Sequence, residues 1–292
     1  MRIGYACLAL GVPGSELKTC TQRNADEARL TELIAHNLAA LERMVDYNLA
    51  SGIRLYRISS DLIPFGSSPV NTLDWAKLFR ADFERIGGKI RAGGMRVSMH
   101  PGQYTVLSAP DEGVAARSAD DLTYHARVLD ALGTYTDARI ILHLGGAYGD
   151  KASALDRFEA RFRALDEAVR SRVTLENDDR LYTAEDALNA GLRLNIPVVF
   201  DNLHHEANPS GPAEARFWID AFRGTWQPTD GPHKIHYSQQ DPGKKPGAHS
   251  ATIDAGRFLE FLDATGRDDL DVMLEVKDKN LSAVKCGLCA SK

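Results

Sequence analysis

In the stretch VVFDNLHHEANP, Val198–Pro209, an apolar β-forming run leads straight into Asp201, with His204 and His205 close behind. A buried strand gains nothing from a carboxylate at its end unless that group has a partner. The same arrangement recurs along the chain. His100 closes MRVSMH, His143 lies near the end of ARIILHLG, and Glu176 near the end of RVTLEN. His236 lies late in HKIHYS, and Glu275 late in DVMLEVK. Each alone has an ordinary reading, the histidine as a hydrogen-bonded core or loop residue and the acid as a cap for the next helix. Six such groups on six consecutive strand ends are different, because gathered carboxylates repel and are costly to desolvate. Divalent cations remove that conflict, and imidazoles with carboxylates and no thiolate suit zinc or manganese.

His204, in the loop after Asp201, and His249, in KKPGAH, bring the candidate ligands to eight: His100, His143, Glu176, Asp201, His204, His236, His249 and Glu275. One ion takes about four to six ligands, so eight with a bridging carboxylate imply two or three ions. Metals about 3.5–4 Å apart are the recurring device for phosphodiester cleavage. His205 is the weaker of its pair and takes a supporting or structural role. Lys234 lies two residues before His236, so on a strand both face the same side. Three states fit a lysine buried there: a neutral amine, an ion pair with Glu275 or another acid, or a carbamylated ligand.

The elements that would carry these groups alternate. Strand-like runs at 2–6, 53–59, 95–100, 138–145, 172–177, 197–202, 233–238 and 271–277 are separated by segments of helical periodicity. The clearest, LTELIAHNLAALERMVDYNLASG, stops at Gly52. Others run from about 113 to 132, 152 to 170, 183 to 193, 213 to 223 and 254 to 265. Eight strands alternating with helices predict one α/β domain, a single (β/α)8 TIM barrel over residues 1–280, with 281–292 as a C-terminal tail. A doubly wound open sheet is the architectural alternative. In a barrel, groups at the carboxyl ends of the strands converge on one mouth.

Composition fits this reading. The chain has 292 residues, 43% hydrophobic and 26% charged, with formal net charge -5. That sign excludes a globally basic nucleic-acid binder, so a DNA partner needs local cations or basic side chains. No apolar run approaches a membrane span, and MRIGYACLAL is a poor secretion signal. A cytoplasmic monomer with four reduced cysteines is expected. Cys286 and Cys289 form an isolated C-x-x-C without a second pair.

LIPFGSSP, SMHPGQY, LHLGGAYGDK, LENDDR, DNLHHEANP, SQQDPGKKPGAH and MLEVKDKN together resemble the ultraviolet damage endonuclease family in order and spacing, over nearly the whole chain. The related apurinic endonuclease family shares the barrel and a three-metal site. The resemblance implies a manganese-supported repair nuclease acting on damaged double-stranded DNA, with zinc or magnesium as substitutes. It would nick immediately 5′ of cyclobutane dimers and 6-4 photoproducts, and at abasic sites, leaving a 3′-hydroxyl. It implies one metal on His100, His143 and Glu176, and a second on Glu176, Asp201, His236 and Glu275. His204 and His249 would hold a third, with a modified Lys234. Gln103 and Tyr104 become a wedge that enters the base stack beside extruded bases, and Tyr5 lines the lesion or phosphate pocket, acting with Glu176 and Lys234. Lys244 and Lys245 are placed to contact backbone phosphates. Arg57 is either a phosphate ligand or an interior ion-pair partner. Where the family commonly reads S-H-P this chain reads SSP, so Ser68 replaces a histidine expected to support the site.

Two other functions compete. A sugar isomerase or epimerase would place similar ligands on a similar barrel, and an impaired nuclease would bind lesions without cutting. The excess of histidines and the rim sequence GQY favour the nuclease.

Overall fold

The computed structural model describes residues 1–212, 214–266 and 270–291. Its centre is a closed barrel of eight parallel strands in sequential order. The strands are β1 (Arg2–Ala6), β2 (Leu55–Ile58), β3 (Arg96–Met99), β4 (Arg139–His143), β5 (Val173–Glu176), β6 (Val198–Asp201), β7 (His233–Tyr237) and β8 (Leu270–Leu274). β8 pairs with β1 through Arg2 opposite Asp271 and Tyr5 opposite Leu274, which closes the ring. All eight expected strands are present, mostly a residue or two shorter than their apolar runs. His100 and Glu275 lie just past the last paired residues, where the loops begin.

The helices are α1 (Glu27–Ala50), α2 (Trp75–Leu78), α3 (Arg80–Ala92), α4 (Glu112–Ala131), α5 (Lys151–Ala164), α6 (Glu167–Arg170), α7 (Ala184–Leu194), α8 (Asn202–Ala207), α9 (Ala215–Arg223), α10 (Ala255–Thr265) and α11 (Asn280–Ala290). Their starts follow from short polar side chains that accept an orphan backbone N–H. Asp26 accepts from Arg29 N at 2.8 Å, Asp111 from Val114 N at 2.7 Å and Asp254 from Arg257 N at 2.9 Å. Thr183 and Asp186 satisfy each other in a capping box at the start of α7. Residue 213, where the helical segment expected over 213–223 begins, lies outside the described residues.

The stretch after 280 is not a tail. Residues Asn280–Ala290 form α11, which packs on β1 and α10 with Cys286 fully buried. Its buried face is built from Ser282, Ala283 and Cys286, side chains too small to give a strong apolar periodicity.

Strand alternation divides the side chains in two. Outward ones such as Tyr5, Tyr56, Val97 and Phe200 join the layer between barrel and helices. Inside, Ala6, Leu55 and Met273 form a separate small cluster. Gly4 lets β1 approach β2 there, since a Cβ would lie 2.0 Å from the Leu55 carbonyl oxygen. The amino-terminal end of the barrel is closed by buried ion pairs, Arg96 with Asp271 at 3.0 Å and Arg139 with Asp230 at 2.9 Å. The acids and imidazoles gather at the opposite end.

Candidate metal centre

Glu176 is the hub of the mouth. It is fully buried at the end of β5. Its Oε2 lies 3.0 Å from His100 Nε2 and 3.4 Å from His143 Nε2, and its Oε1 lies 2.6 Å from His236 Nδ1. Two groups have donor atoms close enough to hold an ion each: His100, His143 and Glu176; and Glu176, Asp201, His236 and Glu275. Glu176 belongs to both, as a bridge must.

The neighbouring polar atoms show what partner this donor set suits. Asp201 uses one oxygen to cap α8, accepting from His204 N at 2.8 Å, while its Oδ2 is buried without a hydrogen-bond partner. His143 Nδ1 and His236 Nε2 are likewise buried and unpartnered among the described residues. His100 Nδ1 is 3.0 Å from the Pro101 carbonyl and donates to it, so in the neutral ring the Nε2 facing the Glu176 oxygen carries a lone pair. Lone pair against lone pair is repulsive, and a cation between them reverses the sign. Separations of 3.0–3.4 Å are about the edge that two bonds of roughly 2.1 Å make near a right angle. The donor set fits divalent cations.

Electrostatics gives the same answer. Burial raises the Glu176 carboxyl, but His236, His143 and His100 outweigh it and hold the group well below the usual carboxylate range. Asp201 moves the other way, raised by burial and by the nearby Glu176 and Glu275 charges despite His204. Burial lowers His204, but Asp201, Glu176 and Glu275 outweigh it and push the imidazole up to about 9. His143, buried, is lowered to about 4. Three acids in one dry site thus demand positive charge.

The other two candidate ligands stand around this core. His204 Nδ1 is 2.9 Å from the Asn177 carbonyl, and 3.8 and 3.9 Å from Glu176 and Asp201 oxygens. His249 Nε2 lies 3.8 Å from Glu275 Oε2. Asn177 is a supporting residue that the sequence reading missed. It accepts from Asp201 N at 2.9 Å and donates to the Asp201 carbonyl at 3.0 Å, fixing two ligand-bearing strand ends together. Its position beside Glu176 in LEND was the available signal.

The surroundings change one expected role and narrow others. Tyr5 does not line a pocket. It points outward from β1, fully buried, and donates to Asn48 Oδ1 at 2.8 Å. Of the two readings of Arg57, the interior ion pair is the one present: its guanidinium pairs inside the mouth with Glu275. Lys234 is therefore not the partner of Glu275. Its Nζ is fully buried with no hydrogen-bond partner among the described residues, and burial drives its pKa far down, with Arg96 adding to the effect. Ser68 makes its hydrogen bonds within its own turn, its hydroxyl accepting from Val70 N at 3.3 Å. His205 packs between Phe200 and Trp218 on the helix side of β6, away from the ligands.

Gln103 and Tyr104 are exposed on the rim, Tyr104 at 70%. Gly102 permits this by close approach, since a Cβ there would lie 2.5 Å from the tyrosine ring. Lys244 and Lys245 are exposed in the loop after β7, and Lys244 Nζ lies 3.9 Å from Asp241. A cavity of about 570 Å³ opens between Gln103, Tyr148 and Arg180, with His143 and His204 in its lining.

Comparison with known proteins agrees with the geometry. A UV DNA damage endonuclease of Clostridium perfringens is 39% identical over 287 residues, covering 98% of this chain and 70% of its own. A crystal structure of SacUVDE superposes with a TM-score of 0.94 at 35% identity, covering 100% of this chain and 98% of that one. The Escherichia coli 3-keto-D-glucoside 4-epimerase YcjR shares the fold, with a TM-score of 0.61 at 12% identity over 100% of both chains. Residues 1–290 match the family model described as UV-endonuclease UvdE, and the chain belongs to that family.

Proposed function

We propose that this chain is a DNA repair endonuclease that hydrolyses the phosphodiester backbone immediately 5′ of ultraviolet photoproducts in duplex DNA, and at abasic sites, working as a cytoplasmic monomer. The observation that carries the reading is Glu176 shared between two ligand groups in a chain of the UvdE family. Two or three divalent cations, manganese foremost, would supply Lewis acidity and an activated water at the mouth.

The protein's own residues do the rest. His100, His143 and Glu176 would hold one cation, and Glu176, Asp201, His236 and Glu275 a second. His204 and His249, at the edge of the set, would serve a third. Arg57 keeps Glu275 ionised and aimed inward, outweighing the opposing effect of burial. Asn177 holds the β5 and β6 ends in register. Gln103 and Tyr104 are placed to fill the gap left when a damaged dinucleotide leaves the stack. Such lesions stack poorly, so extruding them costs less than extruding intact bases. Lys244 and Lys245 offer charge to the backbone phosphates.

The test is a nicking assay on ultraviolet-irradiated and untreated supercoiled plasmid with Mn2+. Nicking confined to irradiated plasmid is expected, and Glu176→Gln should lower it by at least about 10³-fold while the fold persists by circular dichroism. Equal nicking of both plasmids, or none, would refute the reading; lesion binding without cutting would mark an impaired nuclease. The epimerase likeness extends to the fold alone.

A further inference from the structure

We propose that Thr105 and Asp121 are positioning residues that lock the Gln103–Tyr104 loop to the metal-ligand layer, and that this lock sets discrimination between damaged and intact DNA. The inference rests on the nuclease reading above. Its starting point is α4, whose inner face is unlike that of an ordinary barrel helix. Ser118, Asp121 and His125 fall on one stripe, with Tyr124 beside it, and all four are buried. Polar groups buried at these positions are costly unless paired.

Each is paired, and the partners form a connected path. Ser118 Oγ accepts from Val106 N at 2.9 Å. Asp121 Oδ2 accepts from the Thr105 hydroxyl at 2.6 Å. His125 Nδ1 donates to the Asp121 carbonyl at 2.6 Å, and its Nε2 lies 2.9 Å from Ser60 Oγ. Ser60 Oγ also lies 2.7 Å from the His100 carbonyl, so its one proton serves His125 Nε2 or that carbonyl in turn. Tyr124 Oη braces the same turn, donating to the Ser60 carbonyl at 2.8 Å and accepting from Ile63 N at 3.2 Å. The path runs from Thr105 through Asp121, His125 and Ser60 to the backbone of His100.

Its other end meets the rim. Tyr104 is 70% exposed and the next residue, Thr105, only 3%. The chain passes from solvent to interior in one step, so Thr105 is the fulcrum of the loop. A side chain that wedges into a base stack pushes against it, and the loop's anchor must bear the reaction. Contacts on the solvent side would yield, whereas a buried carboxylate–hydroxyl bond tied to the ligand layer holds. The same path sets the distance from wedge to metal, and so which phosphate sits at the mouth when the wedge is seated.

The experiment measures the ratio of nicking rates on irradiated and untreated plasmid, with metal content by mass spectrometry. Thr105→Val should lower the ratio about tenfold, the loss of one buried hydrogen bond, with metal content unchanged. Thr105→Ser should restore it. In a Tyr104→Ala background Thr105→Val should lower it no further, because both changes act through one wedge. A duplex whose thymine dimer already lies in an unpaired bulge should be cut by Thr105→Val at the wild-type rate. Asp121→Leu, which keeps the branched shape of the side chain but has no acceptor, serves as the second variant and should show the same pattern. A wild-type ratio in both variants, an equal fall with and without Tyr104, or loss of metal alongside loss of cutting would overturn the lock. Failure of the unaltered protein to prefer irradiated plasmid would overturn the nuclease reading instead.

Discussion

Tyr5 and Arg57 show how far a side chain's role depends on which face of a strand it leaves. Both stand in adjacent strands near the mouth, one pointing outward into the helix layer and one inward to Glu275. A one-residue change of register would exchange their surroundings. The candidate ligands stood out because an acid or imidazole after an apolar run has few structural uses, and because the pattern repeats on consecutive strands. Tyr5 was not legible, since an aromatic suits either face. Tyr5→Phe is expected to cost about 1 kcal/mol in denaturant unfolding, the worth of its hydrogen bond to Asn48, and to leave incision unchanged. A specific loss of incision at unchanged stability would return Tyr5 to the site.

At the scale of elements, the alternation of strands and helices could be read directly from apolar runs and stops such as Gly52. The expected tail at 281–292 missed α11, and the polar stripe on α4, itself an expected helix, was not legible. The buried face of α11 uses Ser282, Ala283 and Cys286, and the polar stripe of α4 lies among large apolar residues such as Leu122, Val128 and Leu129, which alone set its periodicity. Small and polar side chains carry little periodicity, and their partners lie far away in sequence. The placement of α11 gives a contrast to measure. Cys286→Asp puts a charge into a fully buried position and should cost about 3 kcal/mol or more. Leu288→Asp, at a position 64% exposed, should stay within about 0.5 kcal/mol. Equal melting temperatures for the two variants would show that the helix does not pack as described.

For the molecule as a whole, acid stability carries a signature from the closed end of the barrel. His233 is buried beside Trp226, with neither ring nitrogen hydrogen-bonded among the described residues. Burial, with the nearby Arg223 and Arg96 charges, lowers it to about 3. Unfolded, it would take up a proton near pH 6.5. Between those limits the unfolded chain binds more protons, so stability falls as pH drops from about 6.5 towards 3. His233→Leu should flatten this part of the stability curve by an amount on the order of 3 kcal/mol; an unchanged slope would place the acid sensitivity elsewhere. Closure of the sheet has a different consequence. Every strand already has two neighbours, so the backbone offers no open border along which another chain could be stitched. Novelty in what the protein grips must therefore come from its connecting segments, which can be exchanged or lengthened at little expense to the frame. Relatives can then drift in the injuries they notice while the machinery that cuts stays as it is.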